Sequence, residues 1–241
     1  MKPQVTVVTG GSAGIGEAIC RQLLERGDSV VNIDIKAPVI EAPNYRFIQA
    51  DLSDRLATRD AARQAAETFE VLRLVNNAGA TRPARLEDAT DEDLDFVVNL
   101  QLRASLIMTQ AFTPAMRKAG HGRIVNMASR TVLGKAERTV YSATKAGLVA
   151  FTRTWAMELG AQGITVNAIA PGPIATDLFE KSNPPGAPQT QRIIDSILVK
   201  RLGTPQDIAR SALFFLAPEA GFITGQVLYV CGGTTLGVAP I

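Results

Sequence analysis

The sequence predicts a doubly wound α/β fold: one parallel sheet of about seven strands with helices on both faces. Three observations carry that expectation. Short β-branched runs alternate with helical patterns along the whole chain. Several of those runs are nearly all apolar, as strands buried on both faces of a parallel sheet must be. No repeat or low-complexity linker divides the 241 residues, which are 46% hydrophobic and 20% charged, so one domain over 1–241 is expected.

The elements follow in order. Val5–Thr9 is a Val/Thr run and reads as the first strand; Ile15–Arg26 follows as a helix. Ser29–Asp34 and Tyr45–Gln49 are the next two strands, and Ala-rich Arg55–Phe69 is a helix. Leu72–Asn76 is the fourth strand. Asp91–Ala119 reads as one long helix, opened by Thr90 and a first turn rich in acids. Gly122–Met127 and Ile164–Ile169 are strands on either side of the apolar helix Thr139–Leu159. Residues 182–190, SNPPGAPQT, read as a mobile loop within a substrate loop or lid over about 174–200. Pro205–Leu216 is a helix with Thr204 as cap and Pro205 at its first position, and Gln226–Val230 is the last strand.

Charge and scarce residues exclude whole classes of function. Lys plus Arg is 25 and Asp plus Glu is 23, so nothing calls for a nucleic-acid or membrane partner. The chain has one histidine, His121, and two cysteines, Cys20 and Cys231. Multi-histidine and Cys-x-x-Cys metal sites are impossible, and no metal is expected. The cysteines read as reduced thiols, Cys20 as packing. His121 precedes a strand, at the end away from a ligand crevice, and reads as structural. The N-terminal apolar run is too short for a signal peptide, and no stretch approaches a membrane span, so a cytoplasmic location is expected. Any catalysis must lean on Tyr, Lys, Ser, Asn or carboxylates.

The first strand runs into Thr9-Gly10-Gly11-Ser12-Ala13-Gly14-Ile15-Gly16, where a helix begins. Glycines there let a ligand approach the backbone, and the helix N-terminus offers N–H groups and partial positive charge to a pyrophosphate. The Gly-Lys-Ser/Thr ending of a Walker loop is missing. Asp34 ends the second strand, where a carboxylate accepts from ribose hydroxyls. It repels a 2′-phosphate, and Ala13 and Ile35 supply no cation. NAD is therefore expected over NADP, with nearby Lys36 acting against that preference.

Tyr141 and Lys145 lie four apart at the start of a helix and share a face. A free phenol, with a pKa of about 10, is a poor base near neutrality, and a nearby ammonium favours the phenolate. Such a tyrosine can exchange a proton with a substrate oxygen.

With these motifs in hand, the sequence resembles the compact branch of the short-chain dehydrogenase/reductase family over essentially its whole length. The ordered series is Thr9–Gly16, Asp51-Leu52, Asn76-Asn77-Ala78-Gly79, Asn99, Ser129, Tyr141 with Lys145, and Pro171-Gly172. The resemblance implies a Rossmann-type fold and a role for each position. Tyr141 is the acid/base. Lys145 lowers its pKa and binds the nicotinamide ribose. Ser129 orients the substrate carbonyl, and Asn99 holds a water beside the lysine. The glycine turn, through Gly10, Ser12, Ala13, Gly14, Ile15 and Gly16, binds the cofactor together with Asp34. Asp51 and Leu52 contact adenine, and Asn77, Ala78 and Gly79 line the cofactor. Pro171, Gly172, Ile174 and Thr176 form the nicotinamide-side loop. Two departures stand out. Ser129 and Tyr141 are twelve apart where the family more often has about thirteen. Cys231 precedes Gly232-Gly233 where an Asp is common.

The implied activity is NAD-dependent interconversion of an alcohol, secondary in the expected case, and a carbonyl compound. The alternatives are an NADPH-dependent 3-oxoacyl carrier-protein reductase and a catalytically silent nucleotide-sensing protein on the same fold. A methyltransferase would not need the Tyr–Lys pair. Arg130 follows Ser129 directly, with Arg82, Arg85 and Arg138 not far in the sequence, so an anionic or acyl-carrier substrate is a further expectation. Ala143, Ala146, Gly147 and Ala150 allow close approach to the sheet or to another subunit, and the family forms dimers and tetramers. A homo-oligomer is expected.

Overall fold

In the computed structural model, which describes residues 2–236, seven parallel strands form one sheet in the order β3-β2-β1-β4-β5-β6-β7. The strands are β1 (Gln4–Thr9), β2 (Val30–Asp34), β3 (Tyr45–Gln49), β4 (Glu70–Asn76), β5 (Gly122–Met127), β6 (Ile164–Pro171) and β7 (Val227–Val230). The helices are α1 (Gly14–Glu25), α2 (Arg55–Thr68), α3 (Asp91–Val97), α4 (Ala104–Ala119), α5 (Thr139–Leu159), α6 (Asp177–Ser182), α7 (Pro188–Asp195) and α8 (Pro205–Leu216).

The nearly continuous apolar strands are explained by two cores. Val7, Leu74, Ile124 and Val166 face one way, against Ala61 and Ala65 of α2, Met108 and Phe112 of α4, and Trp155 of α5. Val8, Val75 and Val125, the next residues along, face the other way, against Ile19 and Leu23 of α1 and Ile208 and Ala212 of α8. Successive side chains alternate between faces, so a strand covered on both must be apolar at every position.

Two sequence expectations change. Asp91–Ala119 is not one α-helix: residues Val98–Arg103 form a π segment between α3 and α4. The Ala104 N–H donates to the Asn99 carbonyl, a five-residue step. The 182–190 stretch is not a continuous loop. Ser182 ends α6, and Pro188 begins α7, because its fixed φ suits a first helical position. The Thr190 hydroxyl donates to the Pro184 carbonyl at 2.7 Å and folds the connection back on itself. The small residues of α5 also divide. Gly147 lies against Leu102, whose Cδ2 would be 2.9 Å from a Cβ there, while Ala143, Ala146 and Ala150 are exposed.

Candidate active site

β1 and β4 are neighbours in the sheet, and their connections leave in opposite directions to β2 and β5. A crevice at the carboxyl ends of the strands is the consequence. Its floor is two turns held together by side chains. Thr9 Oγ1 accepts from the backbone N–H groups of Asn77 and Ala78, both at 3.0 Å. Asn77 Nδ2 donates back to the carbonyls of Thr9 and Gly10, both at 3.0 Å. Gly10, at φ +68°, lies so close to the second turn that a Cβ would sit 2.9 Å from Ala78 Cα. At Gly16 a Cβ would fall 2.0 Å from the Gly10 carbonyl oxygen. Only glycine fits this wall.

Residues from β2 organise the glycine turn. Asn32 is fully buried; its Oδ1 accepts from Gly11 N–H at 2.8 Å and its Nδ2 donates to Ser12 Oγ at 2.8 Å. Ser12 Oγ donates to the Lys36 carbonyl at 2.6 Å. Asp34 accepts from Ser12 N–H and Lys36 N–H, each at 3.0 Å. Both carboxylate oxygens are therefore oriented at the strand end. Ala13 precedes α1 without a side-chain cap, so side chains leave the first N–H groups of the helix open. Ile15 packs against the α1/α8 core.

The remaining cofactor positions fall around this turn. Asp51 is exposed after β3, its Oδ1 accepting from Ser53 N–H at 2.9 Å and Ser53 Oγ at 2.7 Å. The Leu52 side chain is committed to the core at 4% exposure. Pro171 ends β6, and Gly172 N–H donates to the Val230 carbonyl at 3.0 Å. Ile174 is buried and bridges to Gly203. Thr176 caps α6, and its Cγ2 would be 3.5 Å from a Cβ on Gly14, so the two ends of the crevice meet. Cys231 Sγ lies 3.4 Å from Thr235 Oγ1 at the position where Asp is common. The glycine cradle, the uncapped helix start and the Asp34 carboxylate suit a dinucleotide: pyrophosphate at the turn and helix start, adenosine ribose at Asp34.

The catalytic candidates gather one strand further on. Ser129 caps the 3-10 turn Arg130–Leu133, its Oγ accepting from Thr131 N–H at 3.2 Å. Tyr141 and Lys145 share a face of α5, with Lys145 Nζ 5.5 Å from the phenol ring centroid. Nζ donates to the Met127 carbonyl at 2.7 Å and would be 3.3 Å from a Cβ on Gly79. Lys145 is 3% exposed, and burial pushes its ammonium down to about 7. Burial raises the Tyr141 phenol above its ordinary value, opposed by the Ser129 hydroxyl and the charge of Arg138.

No hydrogen bond joins Asn99 to Lys145 among the described residues. The Asn99 side-chain oxygen accepts from the Arg103 guanidinium instead. Gln101 was missed by sequence reasoning. Fully buried, it donates through Nε2 to the Ala80 carbonyl at 2.8 Å, and its Oε1 accepts from Thr144 Oγ1 at 3.5 Å. It ties the turn after β4 to the helix carrying Lys145. Asn32 was missed as well. Each is a polar residue where the surrounding pattern calls for an apolar one, and that was the available signal.

His121 lies before β5, away from the crevice, with its pKa lowered by burial and by Arg123 and Arg73. Cys20 is an unpaired thiol in the core, pushed up to about 12 by burial. No cluster of three or more metal-ligating side chains occurs among the described residues. No helix there is long and apolar enough to cross a membrane.

Comparison with known proteins agrees with this fold. Residues 10–235 match the family model described as enoyl-(acyl carrier protein) reductase. The chain is 39% identical over 243 residues to a hydroxy(phenyl)methylsuccinyl-CoA dehydrogenase subunit of Thauera aromatica, covering 97% of each. It is 34% identical over 243 residues to a 3-oxoacyl-(acyl-carrier-protein) reductase of Vibrio harveyi, covering 97% of this chain and 98% of the relative. A putative NAD(P)-dependent gluconate 5-dehydrogenase from Beutenbergia cavernae, solved with NADP at low occupancy, superposes with a TM-score of 0.92 at 30% identity, covering 98% of each chain. A glycine cradle joined to a Ser–Tyr–Lys group on this sheet, matched along nearly its full length, means that the chain belongs to the short-chain dehydrogenase/reductase family, oxidoreductases acting on CH–OH or carbonyl groups with NAD(P).

Proposed function

We propose that the protein is an NAD-dependent dehydrogenase that interconverts a secondary alcohol and its carbonyl compound. The observation that carries the chemistry is the meeting of Ser129 with Tyr141 and of Tyr141 with Lys145, whose Nζ lies against Gly79. In the oxidising direction the Tyr141 oxygen takes the hydroxyl proton, and Ser129 holds the substrate oxygen as its charge changes. Lys145 would hold the nicotinamide ribose, and Asn99 would hold a water beside the lysine, completing a proton relay to Tyr141. A bound nicotinamide would supply the hydride acceptor in oxidation and the hydride donor in reduction.

The NAD preference rests on Asp34. Its carboxylate is held at the ribose end of the crevice by two backbone N–H groups, and Ala13 offers no cation to a 2′-phosphate. The second reading, an NADPH-dependent 3-oxoacyl carrier-protein reductase, is favoured by the Vibrio relative and by the NADP bound in the Beutenbergia neighbour. Both relatives named above act on acyl groups carried by CoA or by a carrier protein, so such compounds belong among the substrates to test. A homo-oligomeric, cytoplasmic enzyme completes the proposal; the exposed Ala143–Ala146–Ala150 face of α5 supports the oligomer.

The test is a rate screen at the reduced-nicotinamide absorbance band. NAD and NADP are each run against secondary alcohols, hydroxy acids, sugars, aromatic alcohols and 3-hydroxyacyl thioesters. We expect NAD to be preferred by about ten-fold or more in kcat/KM. Equal efficiency with NADP overturns the cofactor assignment. No turnover of any substrate class with either cofactor overturns the dehydrogenase reading.

A further inference from the structure

Three basic side chains stand at the lip of the active site with no acid paired to them. Arg130 opens the 3-10 turn after Ser129; Lys135 and Arg138 lie on the loop between that turn and α5. None of the three forms an ion pair among the described residues. The arginines across the way behave differently: Arg82 pairs with Asp93 at 3.4 Å, and Arg85 reaches Glu137 at 4.0 Å.

Between the two loops opens a cleft of about 490 Å³, whose lining includes Arg85, Glu87, Lys135, Glu137, Arg138 and Ser142, one basic group more than acidic. Its walls are tied together. Ala84 N–H donates to the Glu137 carbonyl at 3.2 Å, and residues 84 and 138 form a parallel bridge. Glu137 adopts φ +60°, a left-handed conformation that strains a residue bearing a Cβ. Such strain persists where the surrounding structure imposes it, and it concentrates at ligand clamps and switches. Ser142 Oγ is buried without a hydrogen-bond partner, and Ser142 is the residue after Tyr141.

The charge of this wall is unbalanced. Partial desolvation, then the charges of Arg138 and Arg130, push the Lys135 ammonium below its ordinary value; Glu137 alone acts the other way. Crowded like charges are relieved by an anion, and guanidinium and ammonium donors give charge-assisted bonds to phosphate or carboxylate.

We propose that this cleft binds an anionic group, a phosphate or a carboxylate, carried by the substrate away from its reacting carbon. The proposal rests on the dehydrogenase reading above, and it assigns substrate recognition to Lys135 and Arg138; Arg130 lies outside the lining of the cleft. Glu87, on the opposite wall, sets the limit on how much negative charge the cleft accepts.

Calorimetric titration of the NAD-saturated protein tests it without requiring turnover. Coenzyme A is the phosphate-bearing probe, and glutarate is the carboxylate probe. At least one should bind with a Kd below about 10 mM. Lys135→Glu should weaken that binding about ten-fold or more, and Lys135→Gln should shift it in the same direction. Glu87→Gln should tighten it. Raising NaCl from about 50 to about 300 mM should weaken it. Coenzyme A alone responding identifies a phosphate group, and glutarate alone a carboxylate; either supports the proposal. Binding of neither probe, or binding indifferent to both Lys135 variants, overturns it. The dehydrogenase reading is judged separately, by turnover of any substrate class in the rate screen above, so the two can fail independently.

Discussion

Thr9→Val keeps the shape of the side chain and removes one oxygen. That oxygen, 3% exposed as part of Thr9, is the acceptor for two backbone N–H groups, from Asn77 and Ala78 at 3.0 Å. Its own bond to the Val75 carbonyl is long, at 3.4 Å, and contributes little. Each backbone donor left without an acceptor costs about 1–3 kcal/mol, so two give about 2–6 kcal/mol. Asn77 and Ala78 are only partly buried, and water can recover some of the loss. The Asn77 side chain still clamps the turn through two further bonds. We therefore expect a loss of about 3 kcal/mol, read from urea denaturation as a lower midpoint at unchanged slope. The same turn faces Gly10 across the cofactor wall, so NAD affinity should fall about ten-fold by calorimetry. A stability loss under about 1 kcal/mol would show that the two N–H groups do not depend on Thr9. Unchanged NAD affinity beside a large stability loss would show that the latch serves folding alone.

Tyr141→Phe should keep cofactor affinity and lose about a thousand-fold or more in kcat; an active variant refutes its role as acid/base. Gln101→Leu removes the link between Ala80 and Thr144. It should lower kcat and move the alkaline limb of the pH–rate profile, because the turn after β4, with Gly79, is no longer tied to α5 beside Lys145; a stability change with an unmoved profile assigns Gln101 to packing. Lys145 gives a pH test of folding itself. Burial holds its folded pKa at about 7, below its unfolded value, so between about pH 7 and 9.5 the unfolded chain binds the extra proton. Stability must then rise with pH in that window, by up to about 1.4 kcal/mol per unit, and Lys145→Met should flatten the rise. Equal slopes for the two proteins overturn this. Above that window the raised Tyr141 phenol works in the opposite direction, since its stabilising share is lost as pH climbs.

The strands were legible because burial on both sheet faces leaves a trace at every residue, as in Val7–Val8 or Ile124–Val125. The glycine turn was legible for a related reason: close backbone contact at Gly10 and Gly16 admits no other residue. The π segment left no such trace. Val98–Arg103 contains neither glycine nor proline, and a five-residue hydrogen-bond step leaves the apolar spacing of α3 and α4 little changed. The 182–190 stretch misled in the opposite way. Its prolines suggested irregular chain throughout, whereas Pro188 begins a helix. Buried polar links such as Asn32 and Gln101 announce themselves only as exceptions, and their partners lie far away in sequence. A pattern read along the chain cannot name the far end of a hydrogen bond.

The environment of Tyr141 and Lys145 changes what their pairing means. From the sequence, proximity alone suggested an ammonium that draws the phenol towards its charged form. In the folded chain both groups are pushed away from charge, the phenol upwards and the ammonium down to about 7. The cation acting on the phenol is Arg138. A proton moved from a neutral phenol to a neutral amine would leave two ions in a buried site, so burial holds both groups neutral. The proton exchange proposed between Tyr141 and a substrate oxygen needs neither imidazole nor metal, in keeping with the single histidine and scattered cysteines of this chain. With the proposed cleft, Arg138 becomes the point where that chemistry and recognition would touch. An anion seated in the adjoining cleft would offset the charge of Arg138 and remove part of the help it gives the phenolate. Substrates carrying the anion should therefore shift the pH–rate profile upwards relative to neutral alcohols. Coincident profiles for the two kinds of substrate would show that the cleft and Tyr141 are electrostatically independent.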